Sequence, residues 1–525
     1  MSISYPTTPQ NQRRFDVVAL VILVLSTVGR FWWAGQHDLV QDESYYWQWS
    51  RHLAVGYYDN TPVLAWVIRA GVGAFGATEV GVRSGAIVSA LVVSVFIYLL
   101  GRRYFSPVTA LVALSLAVIL PLFAAGSVLM TQDPVQLAFW SATLYVVACA
   151  LEGNGGLWYV AGLLAGLTAM SKLNGLLLLP SVFLYLIVSP IARTRWLKRP
   201  EPYVAGLIAM IVFAPFVWWN TTHQNAFWIH IGAMGSRSHP HDGLKWFFRF
   251  LGDQAVELSP LFFILLLVTL ATPRERTDRA RHDGWLFLWC PTAVVFVATA
   301  LLSLRSKVEG NWPVAAYVTG VILIADLIVT WWQRSDGQRD LVGSRFRARR
   351  LYLVIAAVLA VTIDVAVLFP QTFYAMGLKV PDPKNDRTDE VYGWRTLAKR
   401  VEYERQQMPK NAFVFGVNYR IPSELAFYLP DQPNTYSLFL RDRANEYMFW
   451  ENPRRLLGRD AVYVHDSDVA DHLDDLRAVF SRISVQPELK IYRELPYGNH
   501  AIRTLQIVRC YGFKGYDVKY WQDGW

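Results

Sequence analysis

From residue 16 to residue 370 the chain is a succession of apolar runs separated by short polar breaks. From 371 onward the pattern changes to short apolar strands and amphipathic stretches, as in an ordinary soluble domain. A bilayer core about 30 Å thick needs roughly 20 apolar residues per helix. Runs of that kind predict about eleven transmembrane helices, near 16–34, 80–100, 107–126, 134–151, 157–171, 173–191, 202–219, 257–272, 284–303, 312–332 and 351–370. The fifth and sixth are parted only by Ser171-Lys172-Leu173-Asn174-Gly175, a polar hinge inside a long apolar stretch. Farther on, Phe413-Val414-Phe415-Gly416-Val417 and Ala461-Val462-Tyr463-Val464 read as buried strands, 467–480 as an amphipathic helix and 503–508 as a late strand. The expected fold is an α-helical multi-spanning membrane protein, with a membrane module over 1–370 and a small α/β domain over 371–525.

Charge fixes the expected orientation. With the N-terminus inside, the cytoplasmic breaks hold Arg102 and Arg103, then Arg193, Arg195, Lys198 and Arg199, then Arg274, Arg276, Arg279 and Arg281, and six arginines between 334 and 350. The opposite breaks are longer yet hold fewer cations, which is the positive-inside bias. Eleven helices then put residues 371–525 outside. The formal charge of +9 sits in these short breaks rather than in a groove, which argues against a nucleic-acid partner and for membrane lipids. Only 17% of residues are charged, against about 25% in a soluble protein. No small-residue cleavage site follows Arg30-Phe31-Trp32-Trp33, so the first helix reads as retained. Cys149, Cys290 and Cys510 are scattered and imply neither a disulfide framework nor a cysteine metal site.

Two outer loops, 35–79 and 220–256, are too long for simple connectors and rich in aromatic residues. In the first, Ser44-Tyr45-Tyr46-Trp47-Gln48-Trp49 suits a short amphipathic helix lying on the membrane. Directly before it stand Asp42 and Glu43. Adjacent carboxylates beside an apolar surface either act, for example as a general base, or cap a helix. Gly56-Tyr57-Tyr58-Asp59-Asn60-Thr61-Pro62 forms an aromatic turn in the same loop. Asp133 lies in Met130-Thr131-Gln132-Asp133-Pro134, where the following proline favours an N-cap. Lys172, Arg237, Arg305 and Lys307 lie on the outer side and could balance a departing phosphate or snorkel to headgroups. Ser306-Lys307-Val308-Glu309-Gly310-Asn311-Trp312-Pro313 crowds polar groups into one interhelical turn. His239-Pro240-His241-Asp242 offers two histidines without a further ligand, so a divalent metal is an open option and no cofactor is fixed. Asp326 and Asp364, inside apolar runs, read as pairing within the bundle.

In order, these pieces are Asp-Glu after the first helix, Tyr-Tyr-Asp-x-x-Pro, Thr-x-Asp-Pro, Ser-Lys-x-x-Gly and a late Asn-Trp-Pro. Together they resemble the bacterial glycosyltransferases of the protein-mannosyltransferase and aminoarabinose-transferase kind, in the multi-spanning GT-C class. The likeness runs on through Asn418-Tyr419-Arg420 and Glu424-Leu425-Ala426-Phe427-Tyr428-Leu429-Pro430. The resemblance implies inverting transfer of a sugar from a polyprenyl-phosphate donor to a glycolipid, glycan or protein acceptor on the outer face of the bacterial cytoplasmic membrane. It implies Asp42 as base and Asp133 as second carboxylate. Glu43, Asp59 and Tyr58 would support the substrates, with Lys172, Arg237, Lys307 and Asn311 toward the phosphate. Aminoarabinose transferases commonly carry Asp-Glu-x-Arg and Lys-Pro-Pro, where this chain has Tyr45, Asn60 and Thr61. Rival readings are a transporter or lipid flippase, which would show repeated halves, and a catalytically silent scaffold.

Overall fold

A computed structural model describes residues 9–236, 242–272, 278–336, 343–378, 386–438, 444–450, 452–466, 470–495 and 498–515. The chain forms two compact units. One comprises residues 1–33, 60–64 and 83–365, the other 34–59, 65–82 and 366–525. The first long loop thus belongs mostly to the same unit as the C-terminal segment.

The first unit is helical. Its first helix, α1 (Pro9–Ala34), leaves Leu25 67% exposed, and Leu207 and Val358 on later helices are each 60% exposed. Apolar side chains so exposed on helix after helix are stable only against lipid. Among the described residues seven helices are long and apolar enough to cross a membrane, or nine if two bent pairs each count as one span. The bent pairs are Leu173–Val188 with Pro190–Trp196, at 101°, and Gly243–Glu257 with Pro260–Ala271, at 112°. The expected count of eleven is not confirmed by helix length and composition among the described residues. Pro121 starts a new helix and cuts the 107–126 run into Pro107–Ile119 and Pro121–Gly126. The 157–171 run ends at the polar hinge as a helix of 15 residues, and a 3₁₀ turn, Leu173–Leu177, follows. That short helix is held by close backbone approach. A Cβ on Gly162 would sit 2.4 Å from the Ala205 carbonyl oxygen of helix Glu201–Thr222.

In the second unit, helix α2 (Gln41–Arg51) packs on helix Arg420–Tyr428. Tyr45, Trp47 and Trp49 are buried, and the Trp47 ring meets Phe427 edge-on at 5.0 Å. The aromatic face expected to lie on the membrane is covered by the C-terminal segment instead, because period-3.6 aromatics bury equally well against protein. Arg395 ties the loop down further. Its Nε donates to Asp38 at 3.0 Å and it pairs with Glu79, while the Leu39 N–H donates to the Tyr428 hydroxyl at 2.7 Å.

The sheet of this unit has strands β1 (Phe413–Gly416), β2 (Thr435–Ser437), β3 (Ala461–His465), β4 (Phe480–Val485), β5 (Leu489–Leu495) and β6 (Gly498–Phe513). The order is β2-β1-β3-β6-β4, with β5 also paired to β6. β1 is parallel to β2 and to β3, whereas β6 runs antiparallel to β3, β4 and β5. Fully buried β1 matches its unbroken apolar run. The expected helix over 467–480 appears as Ala470–Val479, and 467–469 lie outside the described residues.

Candidate active site

Two polar centres emerge, one in each unit. In the second unit Glu43 turns back to accept the Val40 backbone N–H at 3.1 Å, which satisfies one orphan donor at the start of α2. It is wholly buried. Asp42 beside it stays exposed and accepts the Tyr419 hydroxyl on Oδ1 at 2.9 Å. Among the described residues Asp42 forms no ion pair. Surrounding protein raises its carboxyl above the ordinary value, burial being the largest cause, while Tyr419 and then Arg420 oppose the rise and Glu43 adds to it. The side chain still keeps access to solvent, which screens much of that burial effect and leaves the upward direction.

Behind Asp42 lies a tyrosine stack. Tyr45 stacks on Tyr419 at 4.1 Å between ring centroids. Its hydroxyl donates to Asp59 Oδ2 at 2.7 Å and accepts the Glu446 backbone N–H at 2.7 Å. The Tyr58 N–H donates to the Glu446 carboxylate. Burial pushes the Glu446 carboxyl well above its usual range. Asp42, Glu43, Tyr58 and Asp59 are thus gathered in one unit.

The second centre joins separated helices of the membrane unit. Asp133 does not cap its helix. Its Oδ1 pairs with Lys172 Nζ at 2.6 Å and its Oδ2 accepts Asn311 Nδ2 at 2.6 Å. The surrounding turns are laced by Asn174 Nδ2 to the Trp312 carbonyl at 2.9 Å and by Gln254 Nε2 to the Gly310 carbonyl at 3.0 Å. Asp133 and Asn311 line a mostly apolar cavity of about 180 Å³, which Arg30 also lines while donating from Nε to Ser127 Oγ at 2.8 Å.

Other expectations fall elsewhere. Lys307 pairs with Glu309 at 2.6 Å on the exposed part of its turn. Arg237, His239 and His241 lie outside the described residues. Asp326 pairs with Arg281 at 2.6 Å. Among the described residues no three metal-ligating side chains cluster. The sequence pattern does not single out Arg30, at the end of the first helix, or Arg420, inside the Asn418-Tyr419-Arg420 motif. An arginine inside the last turns of an apolar helix, and one just beyond a buried parallel strand, were the available signals.

Residues 59–219 match the family described as dolichyl-phosphate-mannose-protein mannosyltransferase. The chain is 27% identical over 336 residues to the lipid A galacturonosyltransferase RgtD of Rhizobium johnstonii, covering 63% of this chain and 67% of that protein. The fold is similar to ArnT of Cupriavidus metallidurans in the apo state, with a TM-score of 0.58 and 17% identity over 94% of this chain and 97% of that one. The same ArnT bound to undecaprenyl phosphate gives 0.59 and 16% over the same shares. These likenesses support a membrane glycosyltransferase with an ArnT-like fold.

Proposed function

We propose that this enzyme transfers a sugar from a polyprenyl-phosphate donor to an envelope acceptor on the outer face of the cytoplasmic membrane, with inversion and with Asp42 as general base. The observation that carries the reading is the Asp42 carboxylate, exposed, free of an ion pair among the described residues and held by one tyrosine hydroxyl. A base needs an accessible lone pair and a carboxyl that is not locked to a cation. Asp133, clamped by Lys172 and Asn311, suits a structural or orienting part instead.

In the proposed step Asp42 takes the proton of an acceptor hydroxyl or amine. The acceptor atom then bonds to the anomeric carbon, and the bond from that carbon to the phosphate oxygen breaks. The electron pair leaves on the polyprenyl phosphate. Glu43 holds the start of α2, and Tyr58 and Asp59 hold the tyrosine stack. Lys172, Arg237, Lys307 and Asn311 are proposed to act toward the phosphate side, directly or through Asp133. Undecaprenyl phosphate bound to ArnT supports the donor class. The name of the Rhizobium relative supports a glycolipid among the acceptor classes. The cation distribution supports an N-terminus inside, with 1–370 as the membrane module and 371–525 outside.

The test compares envelope lipids and glycans by mass spectrometry in three strains. One lacks the gene, one is complemented with the wild type and one with Asp42→Ala at matched membrane abundance. A single sugar-sized mass that vanishes on deletion and returns only with the wild type is expected. Full restoration by Asp42→Ala would remove Asp42 from the chemistry.

A further inference from the structure

Strands β1 and β3 are parallel neighbours whose onward connections lead to opposite edges of the sheet. After β1 the chain passes through helix Arg420–Tyr428 to β2, and after β3 it passes through helix Ala470–Val479 to β4, two places away beyond β6. The carboxyl ends of two such strands open a crevice, the usual ligand position in an open α/β sheet. Here the residues at that crevice are Asn418, Tyr419 and Arg420 after β1 and Asp466 after β3. The Arg420 backbone N–H donates to Asn418 Oδ1 at 3.1 Å, which fixes the turn at the start of the helix. Tyr419 reaches Asp42, and the Arg420 side chain stands exposed with Tyr419, then Asp42 and Asp466, in its field. Among the described residues Arg420 forms no ion pair, although exposed arginines in this unit such as Arg395 and Arg477 do. Position 45 is a tyrosine whose hydroxyl is already committed on both sides.

Resting on the reading of Asp42 as base, we propose that the C-terminal segment completes the transfer site, with Tyr419 a positioning residue for Asp42 and Arg420 the residue that binds an oxyanion of the substrate. The oxyanion is a phosphate of the lipid carrier or a carboxylate or phosphate on the acceptor or sugar. The guanidinium offers planar paired donors that suit either. Tyr419 favours the charged form of Asp42. The groups facing Asp42 are Tyr419 and Arg420 across from it and Glu43 on its own helix, with Asp59 behind the tyrosine stack.

The test uses purified full-length enzyme added to membranes of the deletion strain, which hold the unconsumed donor and acceptor, with transfer read as the sugar-sized mass gain. Arg420→Gln is expected to lose transfer roughly 10- to 100-fold at limiting substrate, the loss of one charge-assisted contact, and Arg420→Lys to recover part of it. Added undecaprenyl phosphate, a product-like inhibitor, separates the sources. If Arg420→Gln also weakens its inhibition about tenfold, the oxyanion is the carrier phosphate; unchanged inhibition with lost transfer assigns it to the sugar or acceptor. Tyr419→Phe keeps the stack and removes the hydroxyl, so the acid limb of the pH–rate profile is expected to move to higher pH. Wild-type transfer by Arg420→Gln, or an unmoved limb in Tyr419→Phe, overturns the assignment for that residue. If Asp42→Asn also retains transfer, the failure belongs to the reading of Asp42 itself.

Discussion

Lys172→Met isolates what the Asp133 centre does. The substitution keeps the length of the aliphatic stem and deletes the ammonium that lies 2.6 Å from Asp133 Oδ1. Removing one partner of a fully buried pair costs about 3–5 kcal/mol, because the remaining charge stays in a poor solvent. Here the two side chains keep 16% and 11% of their surface, and Asp133 keeps its Asn311 hydrogen bond. The expected loss is accordingly smaller, about 2–3 kcal/mol. Asp133→Asn should cost a similar amount by stranding the ammonium. The double substitution removes both charges and should cost much less than the sum, leaving a coupling of roughly 2 kcal/mol. Reversible unfolding of the full-length protein in mixed micelles, followed against rising SDS, supplies all four corners of that cycle. Single losses that add within about 0.5 kcal/mol would show that the pair is decoupled and refute the account. Activity gives a separate readout. If Asp133 orients the site, transfer by the double mutant stays impaired although it loses little more stability than either single mutant.

The pH–rate profile should fall on the acid side above the ordinary carboxylate range near pH 4, because a base works deprotonated and the Asp42 carboxyl is raised. A limb lying below that range in the wild type contradicts it. Gly162→Ala should destabilise by about 1–3 kcal/mol in the same micelle titration, since its Cβ meets the Ala205 backbone at 2.4 Å. Gly206→Ala, with nothing within 4 Å, serves as the neutral control. Glu424 is buried and its carboxyl is held well above the usual range, first by burial. The folded state therefore binds this proton more tightly than the unfolded one, and ionisation opposes folding as pH rises above the unfolded value. Glu424→Gln should thus raise the melting temperature at pH 8, with the gain shrinking toward pH 5, and an equal effect at both values would contradict the assignment.

Much of the membrane unit was legible because lipid imposes a length and a composition on every crossing helix. Apolar content does not report where backbone geometry breaks. Pro121 and the hinge at 171–175 shorten two runs that composition alone counts as spans, and the 101° and 112° bends turn two others into broken elements. In the C-terminal segment β1 and β3 were legible because burial on both faces makes them unbroken apolar runs. β4 and β5 were not, since an edge strand such as Phe480–Val485 carries a mostly exposed polar pattern.

The centres were legible to different degrees for a physical reason. Asp42 and Glu43 stood out by adjacency, but adjacency cannot say which of the two caps the helix. Geometry gives that part to Glu43, whose carboxylate bends back to Val40, and leaves Asp42 to face solvent. Asp133 looked like a cap because Pro134 follows it, yet a local motif cannot register partners 39 and 178 residues away. On the proposed reading, the carboxylate locked to a cation is a fixed group and the one held by a single hydroxyl is the working base. Tyr419 and Arg420 lie nearly 380 residues from Asp42 along the chain, a separation of 377 for the tyrosine. They meet it because α2 buries its aromatic face on helix Arg420–Tyr428. The aromatic residues that read as a membrane-surface helix are what bring the C-terminal turn to the carboxylate.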